Sequence, residues 1–346
     1  MADGEPSRPF SAPVPIDRKL SGDPLPRSHD SFIIPQEDIS QEALDSELEE
    51  TLIKRAKDGD RLAKFQLGQF YFERGIFEKA IVAFERIKST DFQAKYQLGV
   101  MYYDGLGTQA KPDKGVELLK EIAMSAHPDA SHLVPHAQYN IGRAYYEGYG
   151  VKQSDKEAER WFLMAARDGD PSGSLRSQTV LGMFYSRPGN ENLSKAYFWH
   201  QEATGNGSIE SQGALGVMFE YGIGVPMNIQ SAFECLKGAA IRGNVYAQGN
   251  LAVHYYKRKL FNKAADVAKS VADLDDVMAI ARETECLPKY VAKGISLGSF
   301  VYARCLHHGF GVDKDEKNAL MFYSRAAQFD MDTAARLHDY MTYGYI

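Results

Sequence analysis

The chain has 346 residues, 44% of them apolar and 25% charged, with a formal net charge of −6. That length admits one large or two ordinary domains with a sizeable core, and the mild negative charge gives no footing for a phosphate backbone or an anionic membrane as partner. Three scattered cysteines (Cys235, Cys286 and Cys305) form no CxxC pair and read as reduced thiols rather than a disulfide framework.

The first residues, Met1-Ala2-Asp3-Gly4-Glu5-Pro6, carry neither a basic n-region nor an apolar h-region, so no secretory signal and a cytoplasmic location are expected. Without a signal, the sequons Asn192-Leu193-Ser194 and Asn206-Gly207-Ser208 read as chance matches. No stretch approaches the ~20 apolar residues that cross a bilayer. Seven of the fourteen prolines fall within the first 35 residues, among Ser, Asp and Arg. Such a segment buries too little to offset its ordering entropy, so residues 1–37 are expected to be disordered and 38–346 to form the folded part. Leu44, Leu48, Leu52, Ile53 and Ala56 then recur at helical spacing, and Gly59 is the expected stop of a lone helix.

From about residue 61 the sequence repeats itself. Ala/Ser-x3-Leu-Gly-x2-Tyr appears as Ala63–Leu67-Gly68–Tyr71, Ala94–Leu98-Gly99–Tyr102 and Ala137–Ile141-Gly142–Tyr145. It returns as Ser177–Leu181-Gly182–Tyr185, Ser211–Leu215-Gly216–Phe219, Ala247–Leu251-Ala252–Tyr255 and, degenerately, Gly298–Tyr302-Ala303–Leu306. Anchor spacings of 31, 43, 40, 34, 36 and 51 residues mark stacked units that cover one another's apolar faces. Each unit resolves into two helices. In the first, Leu and Tyr four apart share a face, and the small residue beside Leu admits a close helix. The second carries Lys79-Ala80…Phe84, Lys263-Ala264…Ala268 or Glu157-Ala158…Trp161-Phe162.

Loop length separates the units. From the Tyr position to the second-helix Ala position the count is 9 in repeats one and six, 11 in repeat four and 13 in the others. All four long loops hold Gly-x-Gly: Gly105/Gly107, Gly148/Gly150, Gly222/Gly224 and Gly309/Gly311. The first glycine is expected to end the helix in a left-handed conformation and the second to permit a tight reversal. Val151, Val225 and Val312 follow and can tuck under the turn. Asp113 and Ser154 or Asp155 are the expected caps of the next helix.

The short units resemble tetratricopeptide repeats. The long ones, with Leu-Gly-x2-Tyr-x2-Gly-x-Gly-Val…Ala…Trp-Phe-x2-Ala-Ala-x2-Gly as their pattern in residues 137–169, resemble the Sel-one-like repeat. The resemblance implies an all-α fold, a right-handed alpha-alpha superhelical solenoid. Its units are 61–92 (tetratricopeptide-like), 93–128, 136–170, 177–207 and 211–244 (Sel-one-like), 245–272 (tetratricopeptide-like) and 297–329 (Sel-one-like). An insertion at 271–296 and a capping helix at 330–343 complete it. The order of units, with strings such as Tyr96-Gln97-Leu98-Gly99-Val100-Met101-Tyr102-Tyr103-Asp104-Gly105-Leu106-Gly107 and Gly243-Asn244-Val245-Tyr246-Ala247-Gln248-Gly249-Asn250, is similar to megalin-binding members of this repeat class over about residues 45–330. That resemblance implies an adaptor for the cytoplasmic tail of megalin, an endocytic receptor of the low-density-lipoprotein-receptor family. The alternative is a structural subunit of a larger regulatory or ubiquitin-ligase complex.

Catalytic and cofactor chemistry finds no motif. The Gly-x-Gly pairs follow helical pattern and lack the third glycine or the Lys that a nucleotide loop needs. His307-His308 diverge on a helix, with no Cys or carboxylate at ligand spacing, so no metal is expected. Cys235, at the register of Trp161, and Cys305 read as small core fillers. Asp275-Asp276 and Glu49-Glu50 read as solvated charges. No local Ser/His/Asp set stands out, and the paired cysteines of bacterial repeat hydrolases are missing. The expectation is a non-enzyme without cofactor, and with no nucleic-acid or membrane-inserted partner.

If the first helices line a concave face, positions two, five and six past each Leu turn outward. They include Phe72, Val100, Tyr103, Arg143, Tyr146, Met183, Val217, Tyr221, Val253, Tyr256, Lys257, Arg304 and His307. In the pairs Tyr71/Phe72, Tyr102/Tyr103, Tyr145/Tyr146 and Tyr255/Tyr256 the first aromatic is expected to pack inward and the second to face a peptide groove. Packing of the second against the next repeat is the competing reading.

Overall fold

A computed structural model of the chain describes residues 41–342 apart from 168–170, 188–190 and 285. The Pro-rich start and the disorder expected of it lie outside the described residues. Among those residues every regular element is helical: seventeen α-helices and one 3₁₀ helix. They fall into two compact units, one running up to Trp161 and one from Phe162 onward.

In the first unit α1 (Gln41–Lys57) precedes three helix pairs: α2 (Arg61–Glu73) with α3 (Phe77–Glu85), α4 (Phe92–Asp104) with α5 (Pro112–Ala123), and α6 (Val134–Glu147) with the first half of α7 (Asp155–Arg167). The 3₁₀ helix Pro128–Leu133 joins the second pair to the third. The second unit holds α8 (Pro171–Ser186) with α9 (Leu193–Gly205), α10 (Ile209–Tyr221) with α11 (Ile229–Ile241), and α12 (Val245–Lys257) with α13 (Phe261–Ala272). After them come α14 (Val277–Thr284), the pair α15 (Pro288–His308) and α16 (Glu316–Phe329), and α17 (Met331–Thr342).

Polar side chains start most of these helices by accepting the orphan amides of the first turn. Asp60 accepts from Leu62 N at 2.9 Å and Ala63 N at 3.1 Å, and Asp91, Asn228, Asn244 and Asp315 do the same three residues on. Ser154 caps α7 through Glu157 N at 3.3 Å. Asp113 does not cap α5. That helix begins one residue earlier, at Pro112, whose fixed φ and missing N–H suit the first helical position. Asp113 sits in the first turn, where the positive end of the helix favours a carboxylate.

Glycine stops the first helix of every long-loop repeat. Gly105, Gly148, Gly222 and Gly309 are left-handed, with φ of 73°, 70°, 68° and 72°. Inside the pairs, the glycine beside Leu receives a side chain from its own second helix. A Cβ placed on Gly68 would lie 2.5 Å from the Phe84 ring, on Gly182 2.5 Å from His200, and on Gly216 2.6 Å from Leu236. These contacts explain the small-residue register, and Gly216→Val is expected to cost about 1–3 kcal/mol by overpacking. A urea melt of that variant checks it, with a midpoint equal to the parent's counting against the contact.

The insertion is helical. α14 and the first turns of α15 pack through Ala281, Cys286, Val291 and Ile295 on Val245 and Val271. Leu287 N donates to Glu210 Oε1 at 3.0 Å, so the segment is anchored on the N-terminal ends of α10 and α12 rather than on their outward positions.

Candidate peptide-binding face

The outward positions of the first helices are far from uniform. Tyr221 and Lys257 are exposed, while Phe72, Tyr146, Met183, Val217, Arg304 and His307 are half-buried. Val100, Tyr103, Arg143, Val253 and Tyr256 are buried. At Tyr71/Phe72 the first is buried and the second half-buried, its ring edge on Phe77 at 5.4 Å. At Tyr145/Tyr146 both are half-buried, at Tyr102/Tyr103 both are buried, and at Tyr255/Tyr256 the order reverses. The cause is the following repeat. Over Tyr103 lie the Arg143 guanidinium, 4.6 Å from the ring centroid, and the edge of Tyr149 at 5.0 Å. Over Tyr256 lie Arg304 at 5.8 Å and Phe310 at 6.4 Å from the next pair, beside Phe261 of its own repeat at 5.4 Å.

In three repeats the aromatic four residues after Leu takes part in a device that sequence reasoning missed. The Lys beside the second-helix Ala or Gly position lies over its ring: Lys79 on Tyr71 at 4.9 Å, Lys114 on Tyr102 at 3.9 Å and Lys195 on Tyr185 at 4.7 Å. In the first two repeats a carboxylate from the preceding helix accepts the hydroxyl, Glu49 from Tyr71 at 2.7 Å and Glu85 from Tyr102 at 2.5 Å. The same carboxylates pair with Lys79 and Lys114 at 3.1 Å. Cation, ring and carboxylate thus tie three consecutive helices. The recurring Lys-Ala pair was its visible trace.

Charge on this face is managed locally. Arg143 donates to Asp104 at 3.0 Å and lies 3.9 Å from Glu147, which accepts the Tyr103 hydroxyl at 3.0 Å. Burial pushes the Glu147 carboxyl and the Tyr103 phenol up. In the second unit Glu220 meets His254 Nδ1 at 2.8 Å and Arg258 at 3.1 Å, with Lys257 at 3.9 Å. Burial pushes the Glu220 carboxyl up, but the His254 and Arg258 hydrogen bonds outweigh it and hold the group below its usual range.

A buried polar cluster stands apart from the face. His200 Nδ1 lies 3.1 Å from Ser211 Oγ, and Thr179 donates to Ser208 at 3.0 Å. His200 is 2% exposed, and burial pushes its imidazole down to about 4. Among the described residues no carboxylate orients that ring, and the pair is closed to a substrate. Cys305 is buried and its thiol is pushed up to about 12 by burial. Cys235 is only half-buried, at the rim rather than in the core, and burial also pushes it up. Raised thiols are poor nucleophiles at neutral pH. Among the described residues no three His, Cys, Asp or Glu side chains gather as metal ligands, and no helix is long and apolar enough to cross a membrane.

The Sel1 repeat family model matches residues 92–127, 135–170, 175–208, 209–244 and 297–328, together half of the chain. Among curated proteins, the DAP3-binding cell death enhancer 1 of Rattus norvegicus is 34% identical over 114 residues, and that of Mus musculus 31% identical over 112. Each alignment takes in 32% of this chain and spans about a fifth (21%) of the relative. Among solved structures, the protective antigen c5321 of uropathogenic Escherichia coli, which displays an SLR fold, superposes with a TM-score of 0.56 at 24% identity. That match covers 83% of this chain and 65% of the antigen. A Sel1 repeat protein from Oxalobacter formigenes gives 0.56 at 18% identity, covering 76% and 96%. These two likenesses bear on the fold alone.

Proposed function

The chain belongs to the Sel1 repeat family, and from that premise we propose that it is a non-catalytic scaffold that binds other polypeptides through the outward positions of its first helices. The observation that carries this reading is the Tyr221–Lys257 pair, an aromatic left 44% exposed with an ammonium 4.6 Å above its ring. An amphipathic ring that costs few rotamers on binding, beside a cation, suits peptide capture. Within the second unit Met183 and Val217 hold the corresponding positions half-buried, and Tyr256 is buried. The partially matching relatives are, by name, binders of DAP3, in keeping with a protein-binding role for the matched third.

The finer reading makes the partner the cytoplasmic tail of megalin. It rests on the order of short and long units and on the strings at 96–107 and 243–250. Tyr221→Ala combined with Lys257→Ala is the test, because both side chains are exposed and their removal leaves the core intact. The double variant is expected to keep its helicity and melting temperature and to bind a synthetic megalin-tail peptide at least about tenfold more weakly in fluorescence anisotropy. Unchanged affinity removes this face, and absence of binding by the parent chain removes the receptor. Tyr103→Ala is unsuited to the purpose, since it would unpack Arg143 and Tyr149.

A further inference from the structure

Two arginines of this chain occupy the same place in the repeat and differ in their company. Arg143 on α6 covers Tyr103, the second aromatic of the preceding repeat, and Arg304 on α15 covers Tyr256 in the same way. Each stands five residues before a left-handed Gly-aromatic-Gly loop, Gly148-Tyr149-Gly150 or Gly309-Phe310-Gly311. Arg143 has two carboxylates, Asp104 directly after Tyr103 and Glu147 four residues after itself. The residue directly after Tyr256 is Lys257, and the one four residues after Arg304 is His308. Both counter-charges have been replaced by bases.

Arg304 is therefore held against the hydroxyls of Tyr256 and Tyr323 with no carboxylate in ion-pair contact among the described residues. Its Nε and the neighbouring His307 Nδ1 are buried without a hydrogen-bond partner there. Glu316, whose carboxylate feels His307, already pairs with Lys314 at 2.6 Å. Burial first, then repulsion from Arg304, His307 and Lys314, pushes the His308 imidazole down. The Tyr256 ring and the two hydroxyls offset part of the desolvation of this half-buried guanidinium, and a carboxylate would offset more.

We propose that the Arg304 site receives the carboxylate of an Asp or Glu side chain from a bound partner peptide, which supplies the charge that Asp104 and Glu147 give Arg143. Planar guanidinium against carboxylate, with the Tyr256 ring below, orients that side chain bidentately, and Lys257 and His308 at the exposed rim draw it in. The inference rests on the scaffold reading and adds to it the chemistry of one contact.

The probe is a fluorescein-labelled hexaglutamate peptide, with hexaglutamine and a phosphoserine-containing hexapeptide as comparisons, titrated into the full chain. Hexaglutamate is expected to bind, hexaglutamine to bind at least about tenfold more weakly, and binding to fall with added salt. His308→Glu, which restores at an exposed position the counter-charge held by Glu147, is expected to abolish hexaglutamate binding without lowering the melting temperature, as is Arg304→Gln. Equal binding of glutamate and glutamine peptides, or hexaglutamate binding intact in His308→Glu, overturns the proposal. Phosphoserine binding more than tenfold tighter than glutamate replaces it with a phosphopeptide site. If hexaglutamate fails while the megalin-tail peptide binds, this contact falls and the scaffold reading stands. If hexaglutamate binds through Arg304 while the tail does not, the receptor assignment falls instead.

Discussion

Gly224→Ala is expected to destabilise the second unit by about 3 kcal/mol or more, and Gly222→Ala, two residues away, by only about 1 kcal/mol. Both glycines are left-handed, with φ of 70° and 68°, so each alanine suffers the same backbone strain. Their surroundings differ. A Cβ on Gly222 meets nothing nearer than 3.5 Å, whereas on Gly224 it would lie 2.5 Å from the Leu193 carbonyl oxygen and 2.8 Å from its carbon. Leu193 is the first residue of α9, and a main-chain group at a helix start cannot step aside as a side chain can. The contact recurs in the other long loops, Gly107 on Phe77, Gly150 on Pro112 and Gly311 on Phe261, each the first residue of the preceding repeat's second helix. Chemical denaturation of the two single variants checks the difference. Equal midpoints would mean that the loop does not press on the preceding repeat.

That recurrence shows what sequence could and could not reveal. The helix-stopping role of Gly105, Gly148, Gly222 and Gly309 was readable because it is local, set by φ and the last helical carbonyls. The second glycine was readable only as a turn. Its neighbour lies some 30 to 50 residues upstream, at the start of another helix, and nothing in the loop's own composition encodes that approach. The burial of Val100, Tyr103, Arg143, Val253 and Tyr256 among the outward positions escaped the sequence for the same reason. Tyr103 and Phe72 share a position, yet Tyr103 is buried because Arg143 and Tyr149 come down on it from the next repeat. Register places a side chain on a face of its helix, while the next repeat decides whether that face meets water. The Leu-Gly pattern succeeded because glycine and its partner belong to one helix pair, Gly216 with Leu236 and Gly68 with Phe84. His200 broke that pattern unnoticed: an imidazole stands where Phe84, Leu119 and Leu236 stand elsewhere, and its polarity is absorbed by Ser211, from the following repeat.

Acidification from about pH 7 to pH 4 is expected to cost the parent chain stability through His200 that His200→Leu does not lose. In the folded state burial holds the imidazole at about 4, against an ordinary value of 6.5. Below pH 6.5 the unfolded chain therefore takes up a proton that the folded chain refuses, and stability falls with pH until the folded pKa is reached. The gap of about 2.5 corresponds to about 3 kcal/mol, fully present above pH 7 and lost by about pH 4. Glu210, whose carboxyl burial pushes up to about 7, works the other way over the same range, and Glu85 and Glu220, held below the ordinary 4.5, begin to lose their contributions only near its acid end; all three act on parent and variant alike. Leucine is the substitute of choice because Leu119 and Leu236 fill the equivalent place against Gly99 and Gly216. It sacrifices the 3.1 Å contact to Ser211, about 1 kcal/mol, but Ser211 Oγ also lies 3.5 Å from Thr179 Oγ1 and is not stranded. Urea denaturation at half-unit steps between pH 7.5 and 4 would give two curves that cross, the parent starting about 1 kcal/mol above the variant and losing about 3 kcal/mol relative to it toward acid. Parallel curves would show that His200 takes up its proton in the folded chain, and that the cluster with Ser211 is open to water.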